Sequence, residues 1–254
     1  MKSFNMKHLT GVLSLFLFTA LPLSAADLSD LTYTTTDGEV TITDCDEAAS
    51  EEIGAEISLG YDTYYIDRGA NLGADLIWGD VNVTTTLSDG LDLGIGAWYA
   101  NVADDAGNDQ LHVYAGISTS IGEISVGLGT TYYYYPDPTT DDGTLEFGLE
   151  LGMSAGQIDL SVGFYYDIDL EAAYYEFGAS TSFDLTDTMA IDVGGAIGNT
   201  DGDSLTALTF TIGIPIALSD SASLSPYLGL NVPLDDFEDD GDDIFSGLSL
   251  TVGF

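Results

Sequence analysis

Positive charge is almost missing from this chain: three Lys and Arg residues stand against 43 Asp and Glu, for a formal net charge of −40. Two of the three, Lys2 and Lys7, lie at the extreme N-terminus, so everything past residue 25 carries one cation, Arg68. Nucleic acid is thereby excluded as a partner, because binding it rests on neutralising phosphates with Lys and Arg. Cysteine is as scarce, and Cys45 alone permits no intramolecular disulfide. Past residue 25 no apolar run approaches the ~18 residues a transmembrane helix requires. Histidine past that point is reduced to His112, which leaves little for nucleophile–base chemistry to be built on. The sequence predicts no enzyme, no cofactor and no dedicated metal site.

What is there is alternation. Such charge with few hydrophobics would imply disorder, but 45% hydrophobic residues, 30 Gly and 15 Tyr fall in short alternating runs that read as strands. Twelve such runs follow residue 53, with cores at 53–61, 76–87, 91–100, 111–121, 124–135, 145–154, 158–167, 174–185, 189–198, 205–218, 222–232 and 245–254. Five connections are tight, at residues 88–90, 122–123, 155–157, 186–188 and 219–221, and carry turn residues. The others, near 62–75, 101–110, 136–144, 168–173, 199–204 and 233–244, are longer and acidic. Alternating short and long connections predict an all-β fold: an antiparallel up-and-down transmembrane barrel of about twelve strands, short turns in the periplasm and long loops outside.

The ends of the chain agree with export to an outer membrane. Lys2 and Lys7, the apolar stretch Leu9 to Leu21 and the small-residue site ending at Ala25 or Ala26 read as a secretory signal peptide, residues 1–25. At the other end Leu248, Leu250, Val252 and Phe254 share one face of the last strand, which predicts an assembly signal in Leu250, Val252 and Phe254 for the barrel-assembly machinery. Between signal and barrel (residues 51–254), residues 26–50 hold two alternating runs about Asp37-Gly38, a hairpin signal. A disordered leader fits that stretch equally. Tyr33-Thr-Thr-Thr-Asp-Gly-Glu-Val-Thr-Ile-Thr43 resembles the opening of BspA-type leucine-rich repeat proteins, and a single repeat cannot bury a core.

Strand parity separates a lipid face from a lumen. The series Leu91, Leu93, Ile95, Tyr99 and its continuation through Leu128, Leu149 and Phe177 holds no charge, whereas Asp92, His112, Glu146, Glu150, Asp159, Glu176 and Asp184 fall on the opposite parity. A charge facing lipid at the midplane costs about 2–4 kcal/mol, which accounts for that segregation. Tyr61, Tyr99, Tyr132, Tyr134, Tyr166 and Tyr175 cluster outward near the long-loop ends, as an interfacial girdle does. Inward glycines such as Gly94, Gly96, Gly127 and Gly178 either let strands bend around a small barrel or leave a water path, and the two readings are compatible.

Tyr61-Asp-Thr-Tyr-Tyr-Ile-Asp-Arg-Gly69 resembles the Tyr-x-x-Arg-Gly signature of the TorF-like porins of Gram-negative bacteria, matched here at Tyr65, Arg68 and Gly69 and departing at Asp67, where an aromatic is common. The resemblance implies a signal peptide, a motif-bearing first strand and an outer-membrane barrel. It names a fold rather than a transported solute. The pore-lining candidates are Arg68, Asp92, His112, Glu146, Glu150, Asp159 and Glu176. Arg68 either folds the first loop inward onto lumen acids or pairs at the surface with neighbouring Asp, the latter worth at most ~1 kcal/mol.

Acid without base predicts a passive, cation-preferring pore; the alternative is a closed structural or surface-interaction barrel filled by Trp98, Tyr114, Tyr133, Tyr165 and Tyr227. His112 with Asp104, Asp105 or Asp109 is the one conceivable catalytic pair. Glu146 and Glu150, four strand residues and so ~13 Å apart, exceed a glycosidase spacing. The run Asp235 to Asp243 lacks the glutamate that an EF-hand needs twelve residues after Asp236, leaving loosely bound divalent cations or adaptation to salty water. Outer-membrane lipids are the remaining expected partner, and no feature sets an oligomeric state.

Overall fold

The computed structural model describes residues 54–254, apart from 89, 105, 137–142, 203 and 236–240. The signal peptide, residues 26–50 with Cys45, Asp105 and most of the acidic run after Asp235 lie outside the described residues. Thirteen strands form one sheet, each antiparallel to its neighbours. They are β1 (Gly54–Asp67), β2 (Ala70–Ser88), β3 (Leu91–Val102), β4 (Gln110–Ile121), β5 (Ile124–Tyr134), β6 (Thr144–Ala155), β7 (Ile158–Asp167), β8 (Ala172–Thr186), β9 (Met189–Thr200), β10 (Ser204–Gly213), β11 (Ile216–Ser219), β12 (Ala222–Pro233) and β13 (Asp243–Gly253). The sheet closes because β1 pairs with both β2 and β13, with Leu59 opposite Leu250. Phe254 and Ala55 exchange backbone hydrogen bonds at the short-turn rim. The architecture is the expected up-and-down barrel, whose closure leaves no sheet edge to satisfy.

Two expectations are corrected. The tenth run, 205–218, is two strands, because Pro215 has no N–H for the ladder and interrupts it between β10 and β11. The wall stays tied there by Ile214 N–H to Pro226 O (2.9 Å) and Ala190 N–H to Pro215 O (3.2 Å). The first long loop, 62–75, is not a loop. β1 and β2 continue through it and meet in a two-residue turn at Arg68 and Gly69, both at positive φ (47° and 93°), as mirror-image hairpin turns demand.

Burial follows the expected parity. On β8, Glu176 is 8% exposed while its neighbour Phe177 is 48% exposed, and the tyrosines of the predicted girdle are all exposed. Along the inward face burial is graded: Ala172, Tyr174, Glu176 and Gly178 are buried, whereas Ser180, Ser182 and Asp184 are exposed. The long-loop half of the lumen is therefore filled, and the short-turn half is lined by small or polar side chains that solvent reaches.

Candidate functional site

The β1–β2 hairpin fills the upper lumen. β1 pairs with β13 only as far as Asp62 opposite Gly247, and β2 with β3 only from Leu76 opposite Val102, so the ladder of residues 63–75 runs within the hairpin, with Ala103 N–H to Asp75 O (3.2 Å) and Ser246 N–H to Thr63 Oγ1 (2.9 Å) as ties at its base. A bulge between Tyr64 and Ile66 switches the parity of β1, and Gly73 and Asp75 at positive φ bend β2. The hairpin thus leaves the wall and crosses the lumen. Tyr65 and Leu76 pack with Ala100 and Val102 at its base, against Trp78 and Trp98.

Gly69 at the hairpin's tip lands on the wall at β10 and β12, while Arg68 reaches across to β6. Asn231 Nδ2 donates to Gly69 O (3.0 Å), and Asn231 Oδ1 accepts from Thr209 Oγ1 (3.0 Å). A bulge between Leu205 and Leu208 turns both Thr206 and Ala207 inward, and they leave no room for a side chain at Gly69, where a Cβ would lie 2.6 Å from that of Ala207. The flanks are tied by Asn71 Nδ2 to Asp243 (3.0 Å), Ala74 N–H to Asp104 (2.7 Å) and Asn108 Nδ2 to Leu72 O.

Arg68 is the centre of the arrangement. Its Nη2 lies 2.9 Å from Glu146 Oε1 and 2.8 Å from Oε2; Glu146 is buried and Arg68 nearly so. The guanidinium sits 4.5 Å from the Tyr174 ring centroid and 5.3 Å from that of Tyr165, within cation–π range. Tyr133 donates to Glu146 Oε1 (2.8 Å), Tyr174 to Glu176 (3.1 Å) and Tyr165 to Glu150 (2.7 Å). Beside them His112 is sandwiched by Trp98 (4.7 Å) and Tyr133 (4.6 Å) and shares a hydrogen bond with Gln110 (2.8 Å).

Of the sequence candidates, Arg68 and Glu146 therefore meet directly, His112 and Glu176 join them through Tyr133 and Tyr174, and Glu150 lies in register with Glu176 across Gly163. Asp92 and Asp159 do not join them. They lie toward the short-turn rim, accepting from Thr86 (2.7 Å) and Ser154 (2.5 Å). Among the described residues His112 hydrogen-bonds Gln110 and no aspartate, since Asp104 accepts from Ala74 N–H and Asp109 from Asn101 and Val102; Asp105, the third candidate, lies outside them. Gln110, Asn231 and Thr206 were not distinguished by the sequence. Their polar side chains in alternating runs were the only signal.

The inward glycines have a third role besides bending and spacing. Gly96 lies under the Tyr114 ring, Gly163 under Tyr165, Gly198 under Tyr174 and Gly247 under Tyr227, and each tyrosine hydroxyl reaches a carboxylate. Asp62 accepts from both Tyr227 (2.6 Å) and Trp78 (2.8 Å), and Asp80 takes Tyr114 on both oxygens (3.0 and 2.8 Å). These rings lie over positions with no Cβ, on the neighbouring strand for Gly96, Gly198 and Gly247 and on the tyrosine's own strand for Gly163. Gly96→Ala would place a methyl 2.3 Å from Tyr114 Cζ, and the ring cannot yield without breaking its bonds to Asp80. The expected loss is about 1–3 kcal/mol in denaturant unfolding from lipid vesicles. Gly127→Ala, which meets only Glu150 Cβ at 3.7 Å, should change little.

No protein-family model matches this chain, and no curated protein sequence matches it. Solved structures do resemble it in fold. The NanC porin superposes with a TM-score of 0.51 at 7% identity, covering 78% of this chain and 98% of the porin. The KdgM porin gives a TM-score of 0.52 at 8% identity, covering 78% of this chain and 99% of its own. At these identities the likeness is one of fold alone.

Proposed function

We propose that the chain is an outer-membrane channel that passes small solutes passively and prefers cations. The observation that carries this reading is the inner wall: Asp62, Asp80, Glu146, Glu150 and Glu176 point inward from β1, β2, β6 and β8, against Arg68 as the one Lys or Arg among the described residues. A low-dielectric tube lined by one sign of charge concentrates ions of the other. Fold likeness to two porins supports the barrel, and the acidic wall supports the selectivity. Liposome swelling tests it: vesicles carrying the protein should admit a small organic cation several-fold faster than an anion of equal size. Equal or anion-favouring rates would refute the preference.

One observation favours the second reading, a closed structural barrel: the hairpin fills the upper lumen. Under that reading swelling would match protein-free vesicles for every solute. In either case Leu250, Val252 and Phe254 serve assembly, and removing Phe254, which exchanges hydrogen bonds with Ala55 at the barrel seam, should sharply lower the yield of heat-modifiable barrel in cells.

A further inference from the structure

Arg68, the one Lys or Arg among the described residues, occupies a receptor that is chemically complete without it. Glu146 is held toward the lumen by Tyr133, the faces of Tyr165 and Tyr174 line the approach, and all three tyrosines are in turn fixed by hydrogen bonds to carboxylates. A carboxylate flanked by desolvated aromatic faces is the chemistry that recognises guanidinium and alkylammonium groups. Arg68 fills it imperfectly. Only Nη2 meets Glu146, and the buried Nε finds no hydrogen-bond partner. Beyond Asp62 and Leu76 the hairpin carrying Arg68 has no strand register with either flanking strand, and one backbone bond, Ala103 N–H to Asp75 O (3.2 Å), and a few side-chain ties hold it, so its departure would leave the wall's ladder closed.

We propose that the Glu146–Tyr165–Tyr174 cage is a binding site for guanidinium or primary-ammonium solutes, occupied in the resting protein by Arg68 as a tethered ligand, and that a cationic solute displacing Arg68 releases the hairpin. The consequence for passage rests on the channel reading above; the binding site does not. Because a tethered group competes at an effective concentration of about millimolar, an external cation binds the parent weakly and binds a chain without Arg68 much better.

Chemical rescue tests it. Arg68→Ala in detergent, which breaks the buried pair with Glu146, should lose its folded gel mobility at a temperature roughly 6–20 °C below the parent. Guanidinium chloride or methylammonium chloride at about millimolar concentration should restore at least half of that fall, and sodium chloride of equal ionic strength none. Arg68→Ala with Glu146→Gln should show no rescue. If Arg68→Ala fails to assemble, Arg68→Gln, which keeps the stem, serves in its place. Rescue equal to that by sodium, or rescue that survives loss of Glu146, overturns the site. A second readout addresses release: spin labels at Asn71→Cys and Asp243→Cys, with Cys45→Ser, should separate and broaden in the Arg68→Gln background. An unchanged distance overturns the release step. A label shift without conductance would instead leave site and release standing and end the channel reading.

Discussion

Glu146→Gln destabilises the barrel by about 3–5 kcal/mol, the largest effect expected of any single wall substitution, because it leaves a buried guanidinium without its counter-charge. Among the described residues Glu146 is the carboxylate that accepts from Arg68, Asp67 and Glu176 act on it only through longer-range electrostatics, and the Tyr174 and Tyr165 faces stabilise a cation weakly by comparison. The hairpin's departure caps the cost, since the cation can then regain water. Replacing both partners with apolar groups, Arg68→Met with Glu146→Leu, should cost much less than either change alone, as removal of a whole buried pair usually does. Urea unfolding from phospholipid vesicles, arranged as a double-mutant cycle, measures the coupling. Additive losses would mean that the pair seen at 2.8 Å contributes nothing to the fold.

The second large effect is expected on the opposite face. Leu128, half exposed on the outward side of β5, should not tolerate charge: Leu128→Arg should cost about 2–4 kcal/mol in a bilayer. Ser180, inward, exposed and opposite Asp159, is the matched control. Ser180→Lys places a cation in an acidic, solvated lumen and should fall within about 0.5 kcal/mol of the parent. If the two substitutions behaved alike, the outward face would not be a lipid face.

Most of this architecture was legible because period-2 alternation, turn residues and parity of charge all report the same thing in a membrane barrel. β7 at Ile158–Asp167 has the bounds its sequence run implied, and the inward sites of Glu146 and Glu176 followed from counting. What was not legible depends on register between distant strands. Residues 62–75 read as a loop because Asp62, Asp67, Gly69 and Gly73 look like loop residues, yet Arg68-Gly69 is a tight turn and its flanks are strands. That Arg68 reaches Glu146, 78 residues away, depends on a bulge at Tyr64–Ile66 which alternation does not announce. The Tyr–Gly units were hidden for the same reason. Gly96 and Tyr114 are each unremarkable until antiparallel pairing sets them opposite each other.

The channel reading stands or falls on current through the purified protein. In planar bilayers with a tenfold potassium chloride gradient, the account predicts discrete conductance steps and a reversal potential displaced toward the potassium equilibrium value, reduced in Glu150→Gln, whose carboxylate lies below the hairpin. Steps that reverse toward the chloride value, or a membrane that stays silent with both the parent and Arg68→Ala, would contradict it.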